Sequence, residues 1–251
     1  MPVSLEITLG LPENEKVHRA MGSVLQGALM EMLDAESADK LHEDGLRPYS
    51  QYVYFNRDIQ LPIWCINALN DWAYEKILIP LMNQKEIFLK HKKYYVKFLE
   101  CNVIAEDSYK DMSDYFMSMN NSQISQNVDI NFITTASFRR DGKYVIFPEL
   151  YLIIQSLLNR WNAFSDSFII EEENLSHILA TFCQIKEYNL YTQIFLLEHQ
   201  KINGFCGSMR LYFEGNDIIN RLLGLLFNYA NYSGIGIKTA LGMGAVKTRL
   251  K

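Results

Sequence analysis

Residues 216–250 read NDIINRLLGLLFNYANYSGIGIKTALGMGAVKTRL, and the order of elements in this stretch decides the fold. Ile219, Leu222, Leu223, Leu226, Phe227 and Ala230 recur at helical spacing. Asn216 or Asp217 caps the start and Gly234 closes the end. A glycine-rich loop follows, holding four of the chain's 13 glycines, and then a short strand, AVKTRL. A P-loop needs lysine directly after the second glycine of its spacing, whereas Ile237 precedes Lys238, and a dinucleotide fingerprint breaks at Thr239. Both motifs also sit between a strand and a following helix, the reverse of the order here. The loop is therefore no nucleotide cradle. It is either a turn that needs positive φ or a backbone that something approaches closely.

Working back from this helix, INGFCGSMRLYFEG and YTQIFLLEH read as strands, and PELYLIIQSLLNRWNAF as a helix opened by Pro148. NFITTASFRRDGKYVIF is a hairpin with Asp141-Gly142 at its turn, the pair that favours type I′ geometry. The first half repeats the plan. SLEITLGL alternates as a strand does, and Val17, Met21, Val24, Leu25, Ala28 and Met32 form a helical stripe. A short helix over about residues 35–44 stops at Gly45. YSQYVYF and LPIWCINAL are strands, DWAYEKILIPLMN is a helix, and KEIFLKHKKYYVKFLECNVIAE is a hairpin or a long bent strand. Residues 105–130 are polar without sustained periodicity and read as the connection between halves. The fold expected is α+β, two tandem ferredoxin-like (RRM-like) domains over residues 1–125 and 126–251, with the glycine-rich loop before the last strand.

At 251 residues, 49% apolar and 21% charged, the chain has enough apolar surface for real cores. No stretch approaches the run of about 20 apolar residues a membrane helix needs, and MPVSLEITLG lacks a signal-peptide pattern, so a cytoplasmic protein without membrane contact is expected. Cys65, Cys101, Cys183 and Cys206 form no C-x-x-C pair and read as buried thiols. A net charge of −5 argues against indiscriminate nucleic-acid binding, but the charge is uneven. KEIFLKHKKYYVK carries five lysines against one glutamate, with Tyr94 and Tyr95 interleaved, a pattern that suits single-stranded RNA as well as a solvated face.

The histidines are His18, His42, His91, His177 and His199, and none makes a close metal-ligand pair, so no metal is expected. Cys206 in GFCGS lacks nucleophile-elbow spacing and reads as packing. His177 and His199 read as locally bonded, and His91 as part of the basic strand. His42, at the end of the short helix beside Gly45, Arg47, Tyr49 and Ser50, is placed to reach a substrate. Spacing alone does not separate that role from a structural one.

SGIGIKTALGMGAV after a helix, INGFCGSMRLYF before it and KLHEDGLRPYSQ near the N-terminus together resemble the CRISPR-associated repeat-cleaving endoribonucleases of the repeat-associated mysterious protein superfamily. GSVLQGALMEMLD and ASFRRDGKYVIFPELYLIIQSLLNRWN extend the likeness over nearly the whole chain. The resemblance implies two ferredoxin-like domains and metal-independent, cofactor-free cleavage of precursor CRISPR RNA within each repeat. The ribose 2′-oxygen would attack the adjacent phosphate to leave a 2′,3′-cyclic phosphate and a 5′-hydroxyl. It also implies repeat RNA as partner, and brings effector-complex proteins and a second copy of the chain into view.

By that resemblance His42 is the general acid or base, Arg47 stabilises charge, and Lys40 stands in reserve. Histidine suits proton transfer because a free imidazole titrates near neutrality, and a planar guanidinium matches two phosphate oxygens. Gly234, Gly236, Lys238, Thr239, Gly242 and Gly244 are expected to meet RNA phosphates through bare amides and the lysine charge, with Arg139 and Arg140 as a second contact at the RRDGK tip. Some relatives carry a catalytic tyrosine on the first helix where Met30 stands here. The proton-transfer partner of His42 is thus open among His18, Tyr49 and Ser50. Two rival readings are a non-catalytic RNA-binding subunit of a CRISPR effector complex and a ferredoxin-like sensor of small molecules.

Overall fold

The structure is a computed structural model that describes residues 1–17, 21–42, 45–120, 123–197 and 200–251, with the side chain of His42 outside the described set. His18 and His199 lie outside the described residues.

The first half opens with β1 (Val3–Gly10), α1 (Met21–Met32), α2 (Ala35–His42), β2 (Tyr49–Asn56) and β3 (Leu61–Ala68). A continuous helical segment follows, from α3 (Asp71–Ala73) through a π-helical turn (Tyr74–Leu78) into α4 (Ile79–Met82). It starts at Asn70, whose side chain accepts the Ala73 N–H at 2.9 Å. The hairpin of β4 (Glu86–Leu89) and β5 (Tyr94–Glu106) completes an antiparallel sheet in the order β2-β3-β1-β5-β4. Without the edge strand β4 this is the split βαβ order of a ferredoxin-like domain. Alternation in SLEITLGL has the expected result: Leu5, Ile7 and Leu9 point into a core with Leu25, Leu29, Trp64 and Ile77, while Ser4, Glu6 and Thr8 face the other side.

Residues 105–130 contain more than a connection. Between β5 and the second sheet runs α5 (Tyr109–Ser118), capped by Ser108, whose hydroxyl accepts the Asp111 N–H at 2.9 Å. Tyr109, Met112 and Phe116 lie at helical spacing and are buried. The polar residues between them hide so narrow a stripe from a periodicity count.

The second half comprises β6 (Asn127–Ala136), the hairpin β7 (Phe138–Arg140) and β8 (Lys143–Val145), α6 (Leu150–Phe164) and α7 (Leu175–Thr181). Then come β9 (Cys183–Leu197), β10 (Gln200–Phe213), α8 (Asp217–Ser233) and β11 (Val246–Leu250). The sheet order β11-β6-β10-β9 is again ferredoxin-like, and all its pairs are antiparallel. Asp141 and Gly142 both have positive φ, 51° and 76°, as a type I′ turn requires. Pro148 stands just ahead of α6, which begins at Leu150 after Glu149. Asn216 caps α8 through its side chain, and Gly234 ends it at φ 66°.

The two domains meet along the back of β2 and β3. Ser50 Oγ donates to the Tyr232 carbonyl at 2.5 Å and accepts from Asn67 Nδ2 at 2.9 Å, while Tyr52 and Cys65 pack on Ala245. Tyr109 stacks edge-on against Trp161 and gives its hydroxyl proton to the Leu69 carbonyl at 2.7 Å, so α5 pins the first domain to α6 and α8. An aromatic pair of this kind contributes about 0.5–1.5 kcal/mol beyond its buried area. Among the described residues no helix is long and apolar enough to cross a membrane.

Candidate active-site groove

The glycine loop is closed on itself. After Gly234 the Ile235 N–H donates to the Gly244 carbonyl at 2.8 Å, Gly244 N–H to Thr135 at 2.9 Å, and Ile237 N–H to Ser137 at 3.0 Å. Gly236 N–H donates to Ser156 Oγ at 2.8 Å. Such close approach needs glycine: a Cβ at Gly244 would stand 2.0 Å from the Ile235 carbonyl oxygen, and one at Gly236 2.4 Å from that of Ser137.

The expectation that Gly234, Gly236, Gly242 and Gly244 offer bare amides is thereby corrected. All four are buried and their N–H groups are used inside the protein, by Ala230, Ser156, Thr239 and Thr135 respectively. Thr239 is 2% exposed, with its methyl beside Gly234 and Gly244. It packs the loop rather than facing outward. The glycines shape the loop, and the loop presents Lys238, partly exposed, in the left-handed region at φ 55°.

Facing this loop across a groove of about 400 Å³ are Met30 of α1, Leu41 of α2, and Arg47 and Tyr49 leading into β2. A buried amide locks the two walls together. Gln51 of β2 donates through Nε2 to the carbonyls of Gly22 at 2.7 Å and Ala240 at 2.9 Å, and its Oε1 accepts Trp64 Nε1–H at 2.5 Å. Gly22 and Gly242 touch backbone to backbone, so α1 rests directly on the loop. Arg47, Lys238 and Arg160 of α6 all line the groove, and among the described residues no carboxylate does. An anion entering it meets these positive charges.

The sequence-predicted residues divide accordingly. His42 is the last residue of α2, next to the groove-lining Leu41. Arg47 and Lys238 are brought together across the groove. Lys40 is not: its ammonium stands over the Trp72 ring, 4.7 Å from the centroid, and it is absent from the groove lining. The reason is tertiary: the Trp72 ring of the following helical segment captures the Lys40 ammonium. Arg140 is also turned away, held at 2.6 Å by both Glu149 and the Tyr151 hydroxyl, which raise its pKa. Arg139, its neighbour, lines a smaller cavity of about 150 Å³ that shares Leu46, Arg160, Gly236 and Ile237 with the groove.

Of the partners open to His42, Ser50 is committed to the domain interface through Tyr232. Tyr49 lines the groove but is only 1% exposed, and burial pushes its hydroxyl up to about 12, with Gln26 and Arg47 opposing. It stays neutral across the working range. Cys206 is 1% exposed packing, and His177 stacks on Tyr151 at 4.3 Å. No group of three or more possible metal ligands exists among the described residues.

Sequence reasoning missed Gln51 and Arg160. Both sit inside ordinary strand and helix patterns, and the only signal is a polar residue on an apolar face: Gln51 beside Tyr52 and Val53, Arg160 between Leu157 and Trp161.

Residues 130–246 match the family model described as CRISPR-associated endoribonuclease Cas6. A CRISPR-associated endoribonuclease Cas6 from Streptococcus thermophilus is 29% identical over 222 residues, 88% of each chain. One from Mycobacterium tuberculosis is 25% identical over 250 residues, 97% of this chain and 77% of the relative. A Cas6 solved as a product complex shares the fold, with a TM-score of 0.80 at 20% identity over 99% of both chains. Family model and relatives support a CRISPR-associated repeat-cleaving endoribonuclease similar to Cas6, and the fold is that of solved Cas6 structures.

Proposed function

We propose that the chain binds CRISPR repeat RNA in this groove and cleaves it by attack of a ribose 2′-oxygen on the adjacent phosphate. The new 2′-O–P bond replaces the P–O5′ bond, leaving a 2′,3′-cyclic phosphate and a 5′-hydroxyl. The 2′ proton passes to a base, and the departing 5′ oxygen takes a proton from an acid. His42 fills one of these roles from the end of α2. Arg47 and Lys238 stabilise the charge that grows on the phosphate, and the preorganised loop fixes Lys238 beforehand.

The observation that carries the reading is a groove with Arg47, Arg160 and Lys238 in its walls and, among the described residues, no carboxylate beside them. Protein cations there supply the charge stabilisation that a metal ion supplies in other nucleases. Support comes also from the relative solved as a product complex.

Single-turnover cleavage of repeat RNA in excess chelator tests this. Cleavage should persist, leave cyclic phosphate ends, and stop when the ribose at the cut carries 2′-deoxy. Cleavage that needs added divalent metal and tolerates 2′-deoxy would overturn it. Arg47→Ala should lower the single-turnover rate by roughly 100-fold, as loss of one charge-stabilising donor does.

A further inference from the structure

Arg160 is a buried cation. It is 4% exposed, and burial pushes its pKa down to about 10, so it stays charged at neutral pH. It forms no ion pair with a carboxylate among the described residues, and its Nε has no hydrogen-bond partner there. A charge buried this way is costly unless something else completes it.

Its guanidinium donates from Nη2 to the Gly236 carbonyl, at 2.9 Å. Ser156, four residues earlier and so on the same face of α6, accepts the Gly236 N–H at 2.8 Å. One helix face thus grips both polar groups of a single glycine. Gly236 has φ 93° and no room for a Cβ. Ile237 is fixed next, by Ser137, and then comes Lys238 at the groove. A guanidinium adds a positive field on the groove that Arg160 itself lines.

We propose that Arg160 is a positioning residue for RNA cleavage: it anchors Gly236, and through it Lys238, against the reacting phosphate. This rests on the groove being the cleavage site. Arg160 acts through the loop, so its loss lowers the rate at saturating RNA more than it lowers affinity.

The test compares Arg160→Gln, Arg160→Lys and Ser156→Ala with the wild type, reading the single-turnover rate at saturating repeat RNA, the RNA Kd over a salt series, and the thermal midpoint. For Arg160→Gln the rate should fall roughly 100-fold, as it does for a misplaced group away from the reacting atoms. The Kd should move by less than about threefold and its salt slope should not change, since no phosphate contact is lost. Arg160→Lys should recover part of the rate. Ser156→Ala, which loosens the same anchor without touching charge, should lose rate in the same direction but less, and carries the test if Arg160→Gln does not fold.

A wild-type rate per folded molecule in both Arg160→Gln and Ser156→Ala overturns the proposal, as does a rate loss matched by an equal loss of affinity and a flatter salt slope. The wild type separates the two readings. If it cleaves in chelator at a ribose 2′-hydroxyl while the variants keep pace, only the role of Arg160 fails; if it does not, the groove reading fails with it.

Discussion

On the second-domain side of the groove the backbone is bonded to itself: Gly234, Gly236, Gly242 and Gly244 spend their amides within the protein, and the charge the loop brings to the groove is that of Lys238. On the first-domain side the chain leaves α2 at His42 and passes Gly45 and Arg47 before β2, with Arg47 touching the Gly45 carbonyl at a long 3.4 Å. One wall is rigid because glycine lets carbonyls and amides meet. The other carries its chemistry on long side chains at a helix end. The contrast teaches that the loop's glycines serve precision, and on the proposed mechanism acid–base function falls to the opposite wall.

The hardest blow to that division is His42→Ala. It should cut single-turnover cleavage by roughly 100- to 10,000-fold, the range for a lost acid or base, while repeat RNA binds with unchanged Kd. A variant that cleaves normally would move the chemistry off this wall.

Next in size is Gly244→Ala, which puts a Cβ 2.0 Å from the Ile235 carbonyl oxygen at φ 64°. Denaturant titration should show about 1–3 kcal/mol less stability. Cleavage should fall as well, because Lys238 loses its seat. If stability drops and the rate per folded molecule does not, loop precision is irrelevant to the reaction.

Gln51→Ala acts on both walls at once. It leaves Trp64 Nε1 and the Gly22 and Ala240 carbonyls without their partner, at a cost of about 1–3 kcal/mol in denaturant titration. Loss of rate together with stability would tie the two walls into one unit.

The smallest effect should come from Tyr49→Phe. Its neutral, buried hydroxyl carries no proton to the reaction, so the rate between pH 6 and 9 should stay within about threefold of wild type. The same burial sets an alkaline limit. Tyr49 rises to about 12 in the folded protein, and Tyr52, Tyr54, Tyr109, Tyr229 and Tyr232 rise further. An unfolded tyrosine ionises near 10. Folded pKa values above the unfolded one mean full stability below about pH 10 and a loss as pH rises past it, steeply because several tyrosines act together. Thermal midpoints taken from pH 8 to 11 check the slope.

Much of the fold was legible in residue patterns because its signals are local. Asp141-Gly142 specified a turn, Asn216 a cap, and the alternation of SLEITLGL a strand with one buried face. α5 escaped because three buried residues among polar ones make a thin stripe. The groove was legible in part. Arg47 and Lys238, which line it, come from segments the resemblance marked, but nothing near Lys40 in sequence announces Trp72, and nothing near Arg140 announces that Glu149 and Tyr151 converge on it.

Composition and periodicity alone determined that this chain makes two domains of one plan, with a glycine loop between a helix and the last strand. Those are properties of neighbours along the chain, set by propensity and by which face of each element is apolar. Only the tertiary structure decided that the loop's amides turn inward, that Gln51 bridges residues 29 and 189 positions away, and that Arg160 lies buried beneath the groove against the Gly236 carbonyl. Hydrogen bonds and charge pairing depend on distance in space, and folding alone brings those distant partners together.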